Sequence, residues 1–266
     1  MTVKVLLIVE GKKTEKEFFS QMFNEYGAAA DIFAVSTNIY SLYSRMKHYD
    51  FLCDVKDVLK ELSDDKSVNL DQNFTYVYLI FDSDLHNLPF NKRGTEHNIK
   101  DVVDCNITIL TEMAEYFTNE TDPSVGRLYI NYPMMESFRY CNCFDDRDFL
   151  DAKIKIECIK DFKSLASKKR LAGVRIDNYK ANDFNNLIRL HLAKLILLYN
   201  EFKNRCLHDL VYSEYQNLSA STSIIKQQHL LVCSENSLSV LNSSLFVIID
   251  YYGNKANFYN NLIKSY

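Results

Sequence analysis

The sequence predicts an α/β fold: a small, doubly wound, mostly parallel sheet flanked by helices, with a mainly helical C-terminal region. Three observations carry this. Two apolar runs, VKVLLIV from Val3 and YVYLIF from Tyr76, stop abruptly at carboxylates, Glu10 in the first and Asp82 and Asp84 in the second. Val, Ile, Leu and Tyr without polar alternation read as strands covered on both faces, the pattern of a parallel sheet. The first run leads into a helical pattern and then another apolar stretch, the order of a β–α–β unit, while beyond about residue 146 the apolar spacing is helical.

The elements follow in order. Gly11-Lys12-Lys13 is predicted as a tight turn. Thr14-Glu15-Lys16-Glu17 has the form of a capping box, with the Thr14 hydroxyl expected to accept from the Glu17 amide. Phe18, Phe19, Met22, Phe23 and Tyr26 come at helical spacing, and Gly27 suits the position after the helix end. Ala29–Val35 is predicted as the second strand, and residues 38–72 as helices and a polar loop inserted before the second acidic strand end. Asn87–Asn98 is a polar loop, Glu96–Phe117 a helix and Arg127–Asn131 a short strand. Asn131 to Ser137 (NYPMMES) then reads as a strand end, a proline turn and an acid, Glu136, opening a helix. Asp183–Cys206 is the clearest later helix, with Phe184, Leu187, Ile188, Leu195, Ile196, Tyr199 and Phe202 on one side. Leu238–Tyr252 is apolar and fits either a buried helix or a strand. The expected division is 1–145, a metal-binding catalytic domain, and 146–266, a substrate- or partner-binding region.

Composition sets bounds. A chain of 266 residues, 47% hydrophobic and 25% charged, is that of a soluble globular protein of one or two domains. A net charge of −4 excludes a surface coated in positive charge but allows a local basic groove. Between Asp151 and Lys180, nine Lys/Arg stand against four acids, a local net of +5, with Lys168-Lys169-Arg170 its densest part. Such a run is commonly a solvated helix face; the alternative is a nucleic-acid contact surface. Seven cysteines without a CxxC pair point to reduced thiols rather than a disulfide or zinc framework, and to a cytoplasmic protein. The first apolar run is too short for an anchor or a signal peptide, and no membrane association is expected.

Glu10, Asp82 and Asp84 are the residues most suited to chemistry. In open α/β sheets, ligands bind beyond the carboxyl ends of the strands, so neighbouring strands would bring the three carboxylates together. Alternation along the strand is expected to put Asp82 and Asp84 on one side. Hard oxygen ligands without His or Cys suit Mg²⁺ or Mn²⁺, which orient phosphates and neutralise charge in phosphoryl transfer. Glu136 and Glu15 are candidates for a further carboxylate. Lys12 and Lys13, beside Glu10, and Lys92 and Arg93, beyond Asp84, can grip phosphate, and His86 can orient phosphate or water. A single acid at a strand end is as often a helix cap or a solvated loop; two such ends make that account weaker.

IVEGKKTEKEFF resembles the first motif of the TOPRIM domain, in the EGxxTE form of RloB-like proteins. IFDSDLH resembles that family's DxD motif, and NYPMMES is similar in position to a proline–acid segment further along. The resemblance spans roughly residues 3–140. It implies a Mg²⁺- or Mn²⁺-dependent nuclease, an effector of anti-phage defence related to OLD-type nucleases. Glu10 would be a metal ligand or general acid/base, Asp82 and Asp84 the metal-binding pair, and Glu136 a further catalytic acid. Glu15 would match the second acid of the first motif, a position that helix N-terminal electrostatics also explains. The implied partners are DNA or RNA, an ATPase encoded nearby, and a second copy of the chain. Two other readings stand beside it: a TOPRIM-fold protein that binds nucleic acid or an ATPase without catalysis, and a DxD glycosyl or phosphoryl transferase. A dehalogenase-type phosphatase needs Thr or Val where His86 stands, and a transferase leaves the first acidic strand end unexplained.

Overall fold

The computed structural model describes residues 3–63, 67–87, 98–117, 126–140, 147–169, 175–202, 204–253 and 257–264. The chain divides into two compact units, Met1–Tyr129 and Ile130–Tyr266, so the division falls before the 145/146 boundary expected from the change of pattern.

The first unit holds β1 (Val5–Val9), α1 (Thr14–Glu25), β2 (Asp31–Ala34), α2 (Ile39–His48), α3 (Val55–Leu62), β3 (Tyr76–Asp82), α4 (Ile99–Tyr116) and the start of β4 (Arg127–Tyr132). Every residue of β1 is buried, as are Val77 to Phe81 of β3, which is why both strands are unbroken apolar runs. β1 pairs in parallel with β2 on one side and β3 on the other; Val9 stands opposite both Ala34 and Ile80. On α1, Phe18, Phe19, Met22 and Phe23 are no more than 2% exposed, each burial stabilising by about 1.5–3 kcal/mol.

The helix ends show where local chemistry decided the backbone. α1 starts at Thr14, with Lys13 as its N-cap and no side-chain cap bond. The Glu17 amide donates to the Lys13 carbonyl at 2.9 Å, so the expected Thr14–Glu17 box does not form: its threonine lies one position inside the helix. The other end is as expected. Gly27 has φ +67°, the Ala28 amide donates to the Phe23 carbonyl and the Gly27 amide to that of Asn24, which is a Schellman closure. α4 begins at Ile99, where Asn98 caps it, its side chain accepting from the Lys100 amide; the expected start at Glu96 lies outside the described residues.

The second unit holds the end of β4, then α5 (Arg147–Leu150), β5 (Lys153–Lys155), α6 (Phe162–Lys169), α7 (Ala181–Leu198), α8 (Tyr212–Ser219), α9 (Ser221–Glu235), β6 (Ser237–Ser239), β7 (Leu241–Asn242), α10 (Val247–Tyr252) and α11 (Phe258–Lys264). The larger sheet has the order β2-β1-β3-β4-β7 and is mostly parallel, with β7 antiparallel to β4; β5 and β6 form a separate antiparallel pair. The ambiguous stretch from Leu238 is thus both: short strands first, then helix. Gln228, 1% exposed, fixes the strand part by donating to the Ser239 carbonyl and accepting from the Ser239 amide, as a neighbouring strand would. No helix among the described residues is long and apolar enough to cross a membrane.

α7 is the centre of this unit and is buried around most of its circumference, not on one side only; it ends at Leu198, so Tyr199 and Phe202 lie beyond it. His191 is fully buried, its Nδ1 accepting from the Asn242 amide at 2.9 Å. Burial, reinforced by the charge of Lys194, pushes its pKa well below the usual imidazole value. The unfolded chain therefore takes a proton near pH 6.5 that the folded one refuses. Stability from this group is present above that pH and is lost as pH falls, by up to about 1.4 kcal/mol per unit. His191→Asn, which keeps an acceptor for the Asn242 amide, is expected to flatten the denaturant-measured stability profile between about pH 6.5 and 5. An unchanged acid slope would assign the loss to other groups.

Candidate functional site

The strand order sets the location. From β1 the chain moves to β2 on one side, and β3 and β4 continue on the other, so the order reverses between β1 and β3. Ligand crevices of open α/β sheets open at such a point, outside the carboxyl ends of the strands. Glu10 follows the last residue of β1 and Asp82 is the last residue of β3. The Asp82 backbone amide donates to Glu10 Oε2 at 3.3 Å, so residues 72 positions apart in sequence meet at the switch point.

Asp84 is positioned differently from the expectation. β3 ends at Asp82, so strand alternation does not reach it; Asp84 has φ +37°, in the left-handed region, where aspartate is one of the few residues accommodated. Local bonds hold this turn. The Asn87 amide donates to the Asp84 carbonyl at 2.8 Å, and the Asn87 side chain donates to Asp84 Oδ2 at 3.0 Å. Two helices then pin it. Tyr40 of α2 donates its hydroxyl to the Ser83 carbonyl, and Asn106 of α4 donates to the carbonyls of Leu85 at 3.0 Å and Asn87 at 2.8 Å. Asn106 and Ser83 are fully buried, whereas Asp82, Asp84 and Glu10 are half-buried. Backbone held in a sparsely populated region by surrounding structure is a feature of functional turns.

Glu15 belongs to the same end of the sheet. A methyl group on Gly11 would overlap both carboxylate oxygens of Glu15, so the glycine is what lets that side chain fold back over the β1–α1 turn. Lys12 and Lys13 are exposed on this turn. Lys92 and Arg93 lie outside the described residues.

Glu136 lies in the second unit, 4% exposed, in the 3₁₀ turn Met135–Arg139. Lys163 meets its carboxylate at 2.9 Å. That pair is one of several that absorb the basic stretch. Lys153 pairs with Glu235 at 2.6 Å and holds that carboxyl below its ordinary pKa; Lys155 donates to the Glu235 carbonyl; Arg175 pairs with Asp177 at 2.9 Å. Lys169 sits over the Tyr140 ring at 4.4 Å, Lys168 is exposed, and Arg170 lies outside the described residues. The local +5 is therefore not a single uncommitted face.

Glu10, Asp82 and Asp84 form an all-oxygen donor set with Glu15 close by, and the set fits a hard divalent ion. Their ligand atoms are not all within 4.8 Å of one another; among the described residues only a different group, in the second unit, reaches that closeness. Tyr40, Asn87 and Asn106, which build the turn, were not singled out by the sequence reading. Asn106 had a signal: it interrupts the apolar stripe Val102, Val103, Ile107, Leu110 and Met113 on α4. Tyr40 had none to separate it from the other seventeen tyrosines. Compared with protein-family models, with curated proteins and with solved structures, the chain matches none.

Proposed function

We propose that the protein is a Mg²⁺- or Mn²⁺-dependent phosphodiesterase of TOPRIM type that hydrolyses nucleic acid. The observation that carries the reading is the Glu10 carboxylate against the Asp82 amide at the sheet's switch point. It joins the two motifs, EGKKTE and DSD, on which the family resemblance rests. A transferase that used the DSD pair alone would have no use for the acid of the neighbouring strand.

A bound dication would supply charge neutralisation at the scissile phosphate. Glu10, Asp82 and Asp84 would hold it, and Glu15 is the further acid of this unit. Glu10, oriented by the Asp82 amide, would take a proton from water as the water oxygen bonds to phosphorus and the bond to the leaving oxygen breaks, that oxygen then taking a proton from solvent. Lys12 and Lys13 bind the phosphates on either side. A role in anti-phage defence and a partner ATPase rest on the resemblance alone.

The deciding experiment incubates the purified protein and Mn²⁺ with supercoiled plasmid, linear duplex DNA and total RNA. Cleavage in at least one arm, stopped by a chelator, is the expected result. All three substrates intact at micromolar protein would leave the non-catalytic binding reading in its place.

A further inference from the structure

We propose a second metal site, separate from the strand-end acids and independent of the reading above. Cys206, His208 and Asp209 take a borderline-soft divalent ion of the zinc class, with water in the remaining position. Among the described residues they are the one group whose potential ligand atoms all lie within 4.8 Å of one another. Thiolate, imidazole and carboxylate are zinc-type donors, and a thiolate disfavours the hard ions suited to the acids of the first unit. Bond lengths of about 2.0–2.3 Å put tetrahedral ligand atoms about 3.5 Å apart. His208 Nε2 and Asp209 Oδ1 are already 3.4 Å apart.

The backbone that carries the ligands is anchored. Leu207–Asp209 is a 3₁₀ turn in which the Asp209 amide donates to the Cys206 carbonyl and the Leu210 amide to that of Leu207, both at 3.1 Å. The Arg205 guanidinium donates to the Asp209 carbonyl at 2.8 Å, and the buried Tyr259 hydroxyl donates to the Leu210 carbonyl at 3.1 Å. Arg205 also grips Glu214 through two bonds, of 2.7 and 3.0 Å. That grip commits the Arg205 side chain to the Glu214 carboxylate, while the Asp209 carboxylate faces His208. A fixed turn lowers the ordering cost of binding. All three ligands are exposed, so an ion reaches them directly. The lack of a CxxC pair points away from a zinc framework, but a site with one cysteine does not depend on such a pair.

The test titrates metal-free, full-length protein with Co²⁺ in a reductant that is not a thiol. One equivalent is expected to produce a thiolate-to-cobalt charge-transfer band that Zn²⁺ removes and excess Mg²⁺ does not. The band is expected to be the same in Glu10→Gln protein, which separates this site from the strand-end acids. Cys206→Ser should abolish it, while Cys233→Ser, at another exposed cysteine, should leave it unchanged. His208→Ala and Asp209→Asn should each weaken binding by at least about tenfold, since loss of even an outer-shell partner costs that much. Circular dichroism of each variant reports whether the fold is kept. The absence of a charge-transfer band at excess cobalt overturns the proposal, as does a band that survives in folded Cys206→Ser protein.

Discussion

Glu10→Gln is expected to lower metal-dependent cleavage by about 10²–10⁴-fold, the usual span for a lost general acid or base, and to leave the fold intact. The two halves have separate physical causes. Glutamine keeps a side-chain oxygen that accepts from the Asp82 amide, so the link between the two strand ends survives. What disappears is the negative charge that a dication and a transferring proton both require. Thermal melts with and without Mn²⁺ make the division measurable. Without metal, the variant should melt within about 2 °C of wild type, a difference of at most about 1 kcal/mol. With Mn²⁺, wild type should gain stability by mass action, about 2.7 kcal/mol at one hundred times the dissociation constant, and the variant much less. Asp82→Asn should behave alike. Full cleavage by the Glu10→Gln protein would remove Glu10 from the mechanism.

The largest expected loss of stability comes from Lys194→Met. Lys194 is 1% exposed and donates to three backbone carbonyls, those of Phe149, Leu150 at 3.1 Å and Ala152 at 2.8 Å. A buried ammonium is tolerated because three acceptors replace its water. These carbonyls close the end of α5, a helix of only four residues, and the step into β5. Methionine fills the same volume and leaves the acceptors without their donor, at a cost of about 3–5 kcal/mol. In a unit of this size that corresponds to a melting point lower by about 6–20 °C. Lys194→Arg should not rescue it, because a planar fork does not converge on three carbonyls as a compact ammonium does. A melting point within about 2 °C of wild type for Lys194→Met would show that the carbonyls find other partners.

Much of the first unit is legible in the sequence. β1 and β3 are covered on both faces, so their residues must be apolar without interruption, and each run stops where the chain leaves the sheet. Gly27 was legible because a residue of positive φ closes α1. The second unit was less so. β5, β6 and β7 are three residues long or shorter, too few to display a period, and Gln228 stabilises one of them from a helix. Helix starts went astray where the rule admits neighbours: threonine with glutamate three residues on fits a box, yet Lys13 occupies the cap. The density of Lys and Arg from 151 to 180 was plain, but Glu136, Glu235 and Tyr140 as their partners were not, since those contacts form only on folding.

The amino-acid order by itself determined that two carboxylate-tipped strands would exist, because burial on both faces dictates residue type position by position. Only the tertiary structure decided that β1 and β3 are neighbours, that Glu10 reaches the Asp82 amide, and that Tyr40 and Asn106 hold Asp84 in a left-handed turn. The reason is physical: hydrophobic periodicity records how much of each residue is hidden from water, whereas hydrogen-bond partners between distant segments depend on distances that no local pattern encodes.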